Sequence, residues 1–124
     1  QAMSAQAMDL ARSIRSSRPD RDIIYQIEDY LQLNYSQPFN QAACAARFFI
    51  NKDYMCRKFK AVFHMNMINY LHTLRIDHAK TMLRATDWKV SRIAHEVGYP
   101  DEKYFSKQFK ILEGLTPIEY RNRF

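Results

Sequence analysis

Apolar residues recur along this chain at three- and four-residue spacing and nowhere in sustained alternation, which is the pattern of amphipathic helices rather than strands. Ile23, Ile24, Ile27, Tyr30, Leu31 and Tyr35 form the first clear stripe. They predict a helix from about Asp22 to Tyr35, closed by Ser36, Gln37 and Pro38. A short helix follows from about Asn40, a suitable N-cap, to Phe48. Asn51 caps another that runs to about Phe63. A long helix spans about Met67 to Ala85, with Ile68, Leu71, Leu74, Ala79, Met82 and Leu83 expected to face inward. Thr86 or Asp87 is expected to cap a short helix that ends at Val97, where Gly98 supplies a left-handed stop. Asp101 opens a helix to about Glu113, ended by Gly114. Thr116-Pro117, a cap followed by proline at the first helical position, opens the last helix. The expectation is an all-α fold of about seven helices. Ahead of them, Met3, Ala7, Leu10 and Ile14 have helical spacing that Ser16, Ser17, Arg18 and Pro19 interrupt, and residues 1–22 read as a linker from an upstream region.

The pattern also repeats itself at about fifty residues. The run Asn51-Lys52-Asp53-Tyr54-Met55-Cys56-Arg57-Lys58-Phe59-Lys60 aligns with Asp101-Glu102-Lys103-Tyr104-Phe105-Ser106-Lys107-Gln108-Phe109-Lys110. The preceding short helices align at an offset of forty-nine, so Ala45 matches Ala94 and Phe49 matches Gly98. Each unit is a short helix, a tight turn and a longer helix, the helix-turn-helix plan. In unit two Ala94 is small enough to let the helices touch, Gly98 provides the positive φ of the turn, and Ile93, Val97, Phe105 and Phe109 fill the corner. Tyr104 and Leu112 are expected to join them inside. The opposite face carries Glu102, Lys103, Ser106, Lys107 and Lys110, and the matching face of unit one carries Lys52, Asp53, Cys56, Arg57 and Lys60. One such face is ordinarily a solvated helix surface. Two of them, each on the second helix of a helix-turn-helix unit, point to DNA.

Charge changes the picture unevenly. The 124 residues carry 19 Lys and Arg against 13 Asp and Glu, a formal +6. Eight basic and two acidic groups lie in residues 47–84, whereas residues 85–124 hold seven and six. The field that attracts phosphate therefore centres on unit one and the long helix, and unit two is expected to depend more on base edges. The length suits one compact domain, and no run of eighteen apolar residues exists to span a membrane.

Chemistry that needs other residues is excluded piece by piece. Two glycines, Gly98 and Gly114, cannot build a phosphate-cradling loop. Cys44 and Cys56 match no zinc module and read as free thiols in a reducing, cytoplasmic setting. His95-Glu96 begins like a zinc-binding helix, but Tyr99 stands where the second histidine must be. No Ser or Cys lies in a nucleophile elbow. No enzymatic activity, cofactor or metal is expected.

The long helix has a geometric task. About eighteen residues at roughly 1.5 Å each make a rod of about 27 Å, against about 34 Å for one turn of B-DNA. Such a rod holds two recognition helices to successive major grooves, with an expected footprint of about twenty base pairs.

The stretch Tyr70-Leu71, Arg75, Ala79, Leu83, then Ile93-Ala94, Val97-Gly98-Tyr99, Tyr104-Phe105, Phe109-Lys110, Gly114-Leu115-Thr116-Pro117 and Tyr120-Arg121 resembles the C-terminal signature of the AraC/XylS family of bacterial transcription regulators. The resemblance covers roughly residues 23–124: unit one at about 23–66, a linker helix at about 67–85 and unit two at about 86–124. It implies a DNA-binding domain attached to an upstream sensor or dimerisation domain, and activation of promoters through RNA polymerase. Carried over position by position, the family's base-reading places fall on Asp53, Cys56 and Arg57 in unit one. In unit two they fall on Glu102, Lys103, Ser106 and Lys107. Arg57 and Lys107 suit guanine O6 and N7. Asp53 and Glu102 suit cytosine N4 or lie outside the groove, and Cys56 touches a thymine methyl or fills space. Lys52, Lys60 and Lys110 are the phosphate candidates, and Arg75 is expected to pair with a carboxylate in a structural role. Unit one departs from the family pattern at Gln41, Phe49 and His64, so its turn is expected to differ in shape. A helical protein-interaction module and a nonspecific nucleoid binder are the competing readings.

Overall fold

Hydrophobic period and capping chemistry together place each helix. The computed structural model describes residues 19–124, and the spacing from Met3 to Ile14 and most of the 1–22 segment lie outside them. Among the described residues there are seven helices and no strand: α1 (Pro19–Leu33), α2 (Gln41–Arg47), α3 (Lys52–Phe63), α4 (Met67–Ala85), α5 (Val90–Glu96), α6 (Glu102–Glu113) and α7 (Pro117–Arg123). Helix α1 starts at Pro19, three residues before the expected Asp22, because the fixed φ of proline suits a first helical turn, where a missing N–H costs nothing. The helix stops at Leu33, two residues short of the expected Tyr35, and Gln37 N–H then donates to Asn34 O at 3.0 Å in the turn before Pro38. The chain forms two compact units, one comprising residues up to Leu31 with Phe39–Asn66, the other Gln32–Pro38 with Met67–Phe124.

In unit one, Ile24, Ile27 and Leu31 of α1 are buried, as are Cys44, Ala45, Met55 and Phe59 of α2 and α3. Aromatic edges join the helices: Tyr25 meets Phe63 at 5.5 Å between centroids and Tyr30 meets Phe48 at 5.7 Å, both edge-to-face.

Unit two buries Ile76, Ala79, Leu83, Val90, Ile93, Ala94, Val97, Tyr99, Phe105, Phe109 and Tyr120 in one cluster, with Tyr35, Met82, Trp88 and Leu115 packed against it. Along α4 the buried positions are Met67, Leu71, Arg75, Ile76, Ala79 and Leu83, and all but Ile76 fall every four residues. Four residues overshoot one helical turn by about 40°, so the inward direction rotates along the helix. That rotation explains why Ile68, expected inside, is 42% exposed while Leu74 and Met82 are half-buried. Among the described residues Arg75, only 8% exposed, pairs with no carboxylate. Its Nε donates to Tyr35 O at 2.6 Å, its Nη2 donates to Gln37 O at 2.9 Å, and its guanidinium lies over the Tyr99 ring. The carbonyls of Tyr35 and Gln37 thereby have donors inside unit two. Tyr35 stacks on His78 with the ring planes 2° apart. Arg121 serves the end of α4 in the same way, donating to Leu83 O and Thr86 O at 3.1 and 3.3 Å, where helix carbonyls lack internal donors.

The start of α5 differs from expectation. Thr86 Oγ1 donates to Met82 O and accepts from Trp88 N, so this hydroxyl finishes α4 rather than opening α5. The N-cap position is Lys89, which makes no side-chain cap bond. Further on, Thr116 and Glu119 form a full capping box at α7.

Both helix-turn-helix corners share one hydrogen-bond scheme. Val97 N–H donates to Ile93 O, Gly98 N–H to His95 O and Tyr99 N–H to Ala94 O at 3.0, 3.1 and 2.9 Å. In unit one Phe48 donates to Cys44 O, Phe49 to Ala46 O and Ile50 to Ala45 O at 3.2, 3.2 and 3.0 Å. The first turn therefore keeps the scheme of the second, contrary to the expectation raised by Phe49. That residue adopts φ +58 where Gly98 has +104, and His64 adopts φ +63 where Gly114 has +79. Phe49 can do so because its side chain points into solvent, 94% exposed. Gly98 has no such freedom, since a Cβ there would lie 2.9 Å from Ser36 O.

Two stability predictions follow from these contacts. Gly98→Ala meets both a wrong φ and a backbone collision and is expected to destabilise by about 2–3 kcal/mol. Phe49→Gly relieves left-handed strain that costs about 1–2 kcal/mol, a relief partly offset by a looser unfolded chain. It is expected to raise the urea midpoint slightly, while Gly98→Ala lowers it. The second prediction concerns pH. Burial, aided by Arg75, lowers the His72 pKa below its usual value. The ring sits with Nδ1 2.7 Å from the Tyr99 hydroxyl. Below about pH 6.5 the unfolded chain then binds a proton that the folded chain resists, so stability falls as pH falls through that value. Urea midpoints measured from pH 7.5 to 5.5 should decline, and His72→Gln should remove part of the decline.

Candidate nucleic-acid interface

Each second helix of the two corners starts from an extended residue whose side chain caps it. Asn51 Oδ1 accepts from Tyr54 N–H at 2.9 Å and Asp101 Oδ1 accepts from Tyr104 N–H at 2.7 Å. These caps satisfy N–H groups in the first turns of α3 and α6, and the buried side chains set how each helix is turned. Met55 and Phe59 then point inward from α3, and Phe105 and Phe109 from α6. At 100° per residue positions 52, 53, 56, 57 and 60 of α3, and 102, 103, 106, 107 and 110 of α6, fall on the opposite side.

The structure puts the expected residues on those outer faces. On α3, Lys52, Asp53, Arg57 and Lys60 are exposed and Cys56 is half-buried. On α6, Glu102, Lys103, Lys107 and Lys110 are exposed and Ser106 is half-buried. Each set shares one helix face within its own unit. Two α6 residues expected inside are not: Tyr104 is 40% exposed and Leu112 is 43% exposed. Tyr104 lies at the rim, edge-on to Tyr99 at 5.5 Å and to His72 at 6.3 Å. Leu112 stands in the last turn before Gly114, beyond the level at which Phe105 and Phe109 are covered.

Local chemistry differs between the two faces. The Arg57 guanidinium and the Lys58 ammonium both lie near the Tyr54 ring, at 5.9 and 5.8 Å from its centroid. The ring thus supports the Arg57 side chain from its own helix, three residues away. Cys44 and Cys56 are both free thiols. Burial pushes the Cys44 thiol up to about 11, against the pull of nearby Arg47 and with a smaller push from Cys56. Cys44 is therefore protonated at neutral pH and behaves as a small apolar core residue.

Sequence reasoning passed over one pair in unit two. Arg92 lies with its guanidinium 3.8 Å from the centroid of the Trp88 ring, four residues earlier. Trp88 precedes the N-cap residue Lys89, so the pair joins the segment before α5 to the helix itself and no helical spacing announces it. Among the described residues no group of three or more His, Cys, Asp or Glu side chains is placed to hold a metal ion, and no helix is long and apolar enough to cross a membrane.

Comparison with known proteins extends these observations. Residues 44–123 match the family described as "Helix-turn-helix domain". The chain is similar to the uncharacterized HTH-type transcriptional regulator YijO of Escherichia coli (strain K12), at 29% identity over 115 residues, 93% of this chain and 41% of that protein. It is also similar to the HTH-type transcriptional activator RhaR of Yersinia pseudotuberculosis (serotype O:1b, strain IP 31758), at 31% identity over 106 residues, 86% of this chain and 37% of that protein. The chain thus spans less than half the length of these relatives. Among solved structures, the C-terminal domain of AraT, a response regulator from Geobacillus stearothermophilus, superposes with a TM-score of 0.80 and 28% identity, covering 82% of this chain and 85% of that one. The DNA-binding domain of AdpA, a global transcriptional factor solved with a target DNA, gives 0.77 at 20% identity, covering 81% and 90%, and shows the fold alone. With two capped recognition-type helices behind matching left-handed corners and these relatives beside it, the chain belongs to the AraC-type helix-turn-helix family.

Proposed function

We propose that this chain is the sequence-specific, double-stranded-DNA-binding domain of a bacterial transcription regulator, with α3 and α6 each entering a major groove. The observation that carries the reading is the pair of corners built on one hydrogen-bond scheme, each presenting a polar, partly basic face on its second helix. Asp53, Cys56 and Arg57 are the base-reading candidates of α3, and Glu102, Lys103, Ser106 and Lys107 those of α6. Arg57 and Lys107 donate to guanine, and Lys52, Lys60 and Lys110 hold phosphates. Successive major grooves of one duplex are the proposed targets. The full-length protein acts in the cytoplasm without catalysis or cofactor, carries an upstream sensor or dimerisation domain, and activates promoters by touching RNA polymerase.

Selection of bound duplexes from a randomised library, followed by binding measurements on a selected and an unselected duplex, tests the reading. Retention of one sequence over competitor DNA supports it. Uniform binding that disappears with salt favours a nonspecific binder, and no binding favours a protein-interaction module. Lys107→Ala should cost about 1–3 kcal/mol on the selected duplex and relax preference at one base pair. An equal loss on every sequence would contradict base reading. Lys60→Ala should weaken both duplexes alike and flatten the dependence of log K on log salt by about one unit. Cys56 offers a chemical check. Iodoacetamide at pH 7.5 should label Cys56 and spare Cys44, and a bound duplex should slow the labelling. Labelling at the same rate with and without DNA would remove Cys56 from the interface.

A further inference from the structure

The inner surfaces of the two corners are alike, but the outer surfaces of their first helices are not. At the offset of forty-nine, Ala42, Ala43 and Ala46 of α2 correspond to Ser91, Arg92 and His95 of α5. All six are exposed. The position before the helix is Asn40 in unit one, whose Oδ1 accepts from Ala43 N–H at 2.8 Å, and Lys89 in unit two, which caps nothing. Unit two therefore gives up a cap bond and places a cation at the end of a helix where the dipole disfavours one. A local preference surrendered on an exposed surface calls for a reason outside folding.

Arg92 shows what the reason is. Glu96 lies four residues on, the usual partner for an ion pair along a helix. Among the described residues no ion pair to Arg92 is present. Its guanidinium rests instead on the Trp88 ring at 3.8 Å, and the half-buried Trp88 is held from below by the core of unit two. Contact with the ring supports the guanidinium, and the Arg92 side chain remains exposed to solvent. A planar fork of donors on a rigid support is suited to the two oxygens of a phosphate. In helix-turn-helix proteins the first helix of the motif crosses the nucleic-acid backbone while the second enters the groove. Arg92 and Lys89 both stand exposed on or beside that first helix.

We infer that Trp88, Lys89 and Arg92 form a phosphate clamp for the DNA backbone in unit two, at positions that are Phe39, Asn40 and Ala43 in unit one. The inference rests on the DNA-binding reading above and adds an anchoring site to it. Arg92 supplies the bidentate contact, Trp88 positions it, and Lys89 adds a second cation at the mouth of the helix.

Binding of the selected duplex and of an unselected 30-base-pair duplex over a range of salt concentrations tests the clamp. Arg92→Ala should weaken both duplexes by the same factor and lower the slope of log K against log salt by about 0.9. Arg92→Lys should keep the slope and lose part of the affinity, since an ammonium is a point charge rather than a fork. An unchanged slope in Arg92→Ala, with wild-type binding intact, overturns the clamp alone. A loss confined to the selected duplex makes Arg92 a base contact and overturns the phosphate assignment. Failure of the wild-type chain to bind either duplex overturns the DNA reading itself.

Discussion

The left-handed residue between the two helices of each corner is the constraint on which everything else depends. A three-residue turn can reverse the chain this tightly only if its middle residue adopts positive φ, because the next N–H must reach back to the carbonyl of Ala45 or Ala94. That bond sets the angle at which the second helix leaves, and the angle decides which of its faces meets the core. Gly98 meets the demand at low steric cost. Phe49 meets it at the cost of strain, and the structure tolerates the strain because nothing crowds the exposed ring. Backbone geometry is thus shared while side-chain content is not.

A second constraint, within unit two, is the satisfaction of backbone groups at chain ends and turns by arginine. Arg75 reaches the carbonyls of Tyr35 and Gln37, and Arg121 those of Leu83 and Thr86. Each guanidinium offers donors to two acceptors at once, which a lysine does less well. Arg84 adds a further bond to the Tyr120 hydroxyl. The close approach of Ser36 to Gly98 then follows. A segment fixed by Arg75 has little choice about what it passes, and only hydrogen fits at residue 98.

Helix positions were legible because the chemistry that fixes them is local. Asn40, Asn51, Asp101 and Thr116 cap as their residue types suggest, and Gly114 ends α6 as a left-handed residue should. The departures from that reading have separate causes. Thr86 finishes α4 instead of capping α5 because its hydroxyl can reach Met82 O. Arg75 bonds carbonyls forty and thirty-eight residues away, a pairing no local pattern reveals. Ile68 is exposed because the buried ridge of α4 rotates along the helix, which a fixed 3.6-residue stripe does not capture. The outer faces of α3 and α6 are legible because the buried side chains Met55, Phe59, Phe105 and Phe109 set their rotation. The groups those faces would meet are outside the chain, so periodicity alone could not rank the residues on them.

Charge counted by segment gives the weakest guide to electrostatics. Residues 47–84 hold most of the net positive charge, yet Arg75 within them is buried over Tyr99 and bonded to carbonyls, and Lys80 pairs with Glu113 at 3.2 Å. Neither is free to attract an anion. Residues 85–124 are nearly neutral in sum, yet Arg92 is exposed, rests on the Trp88 ring and has no ion-pair partner among the described residues. A field at a surface depends on which charges are unpaired and where they point, and both properties are set by packing. The repeat supplies the same backbone twice. Substitutions at its outer positions, alanine in one copy and arginine in the other, can then give the two units different electrostatic roles without altering the corner that aims them.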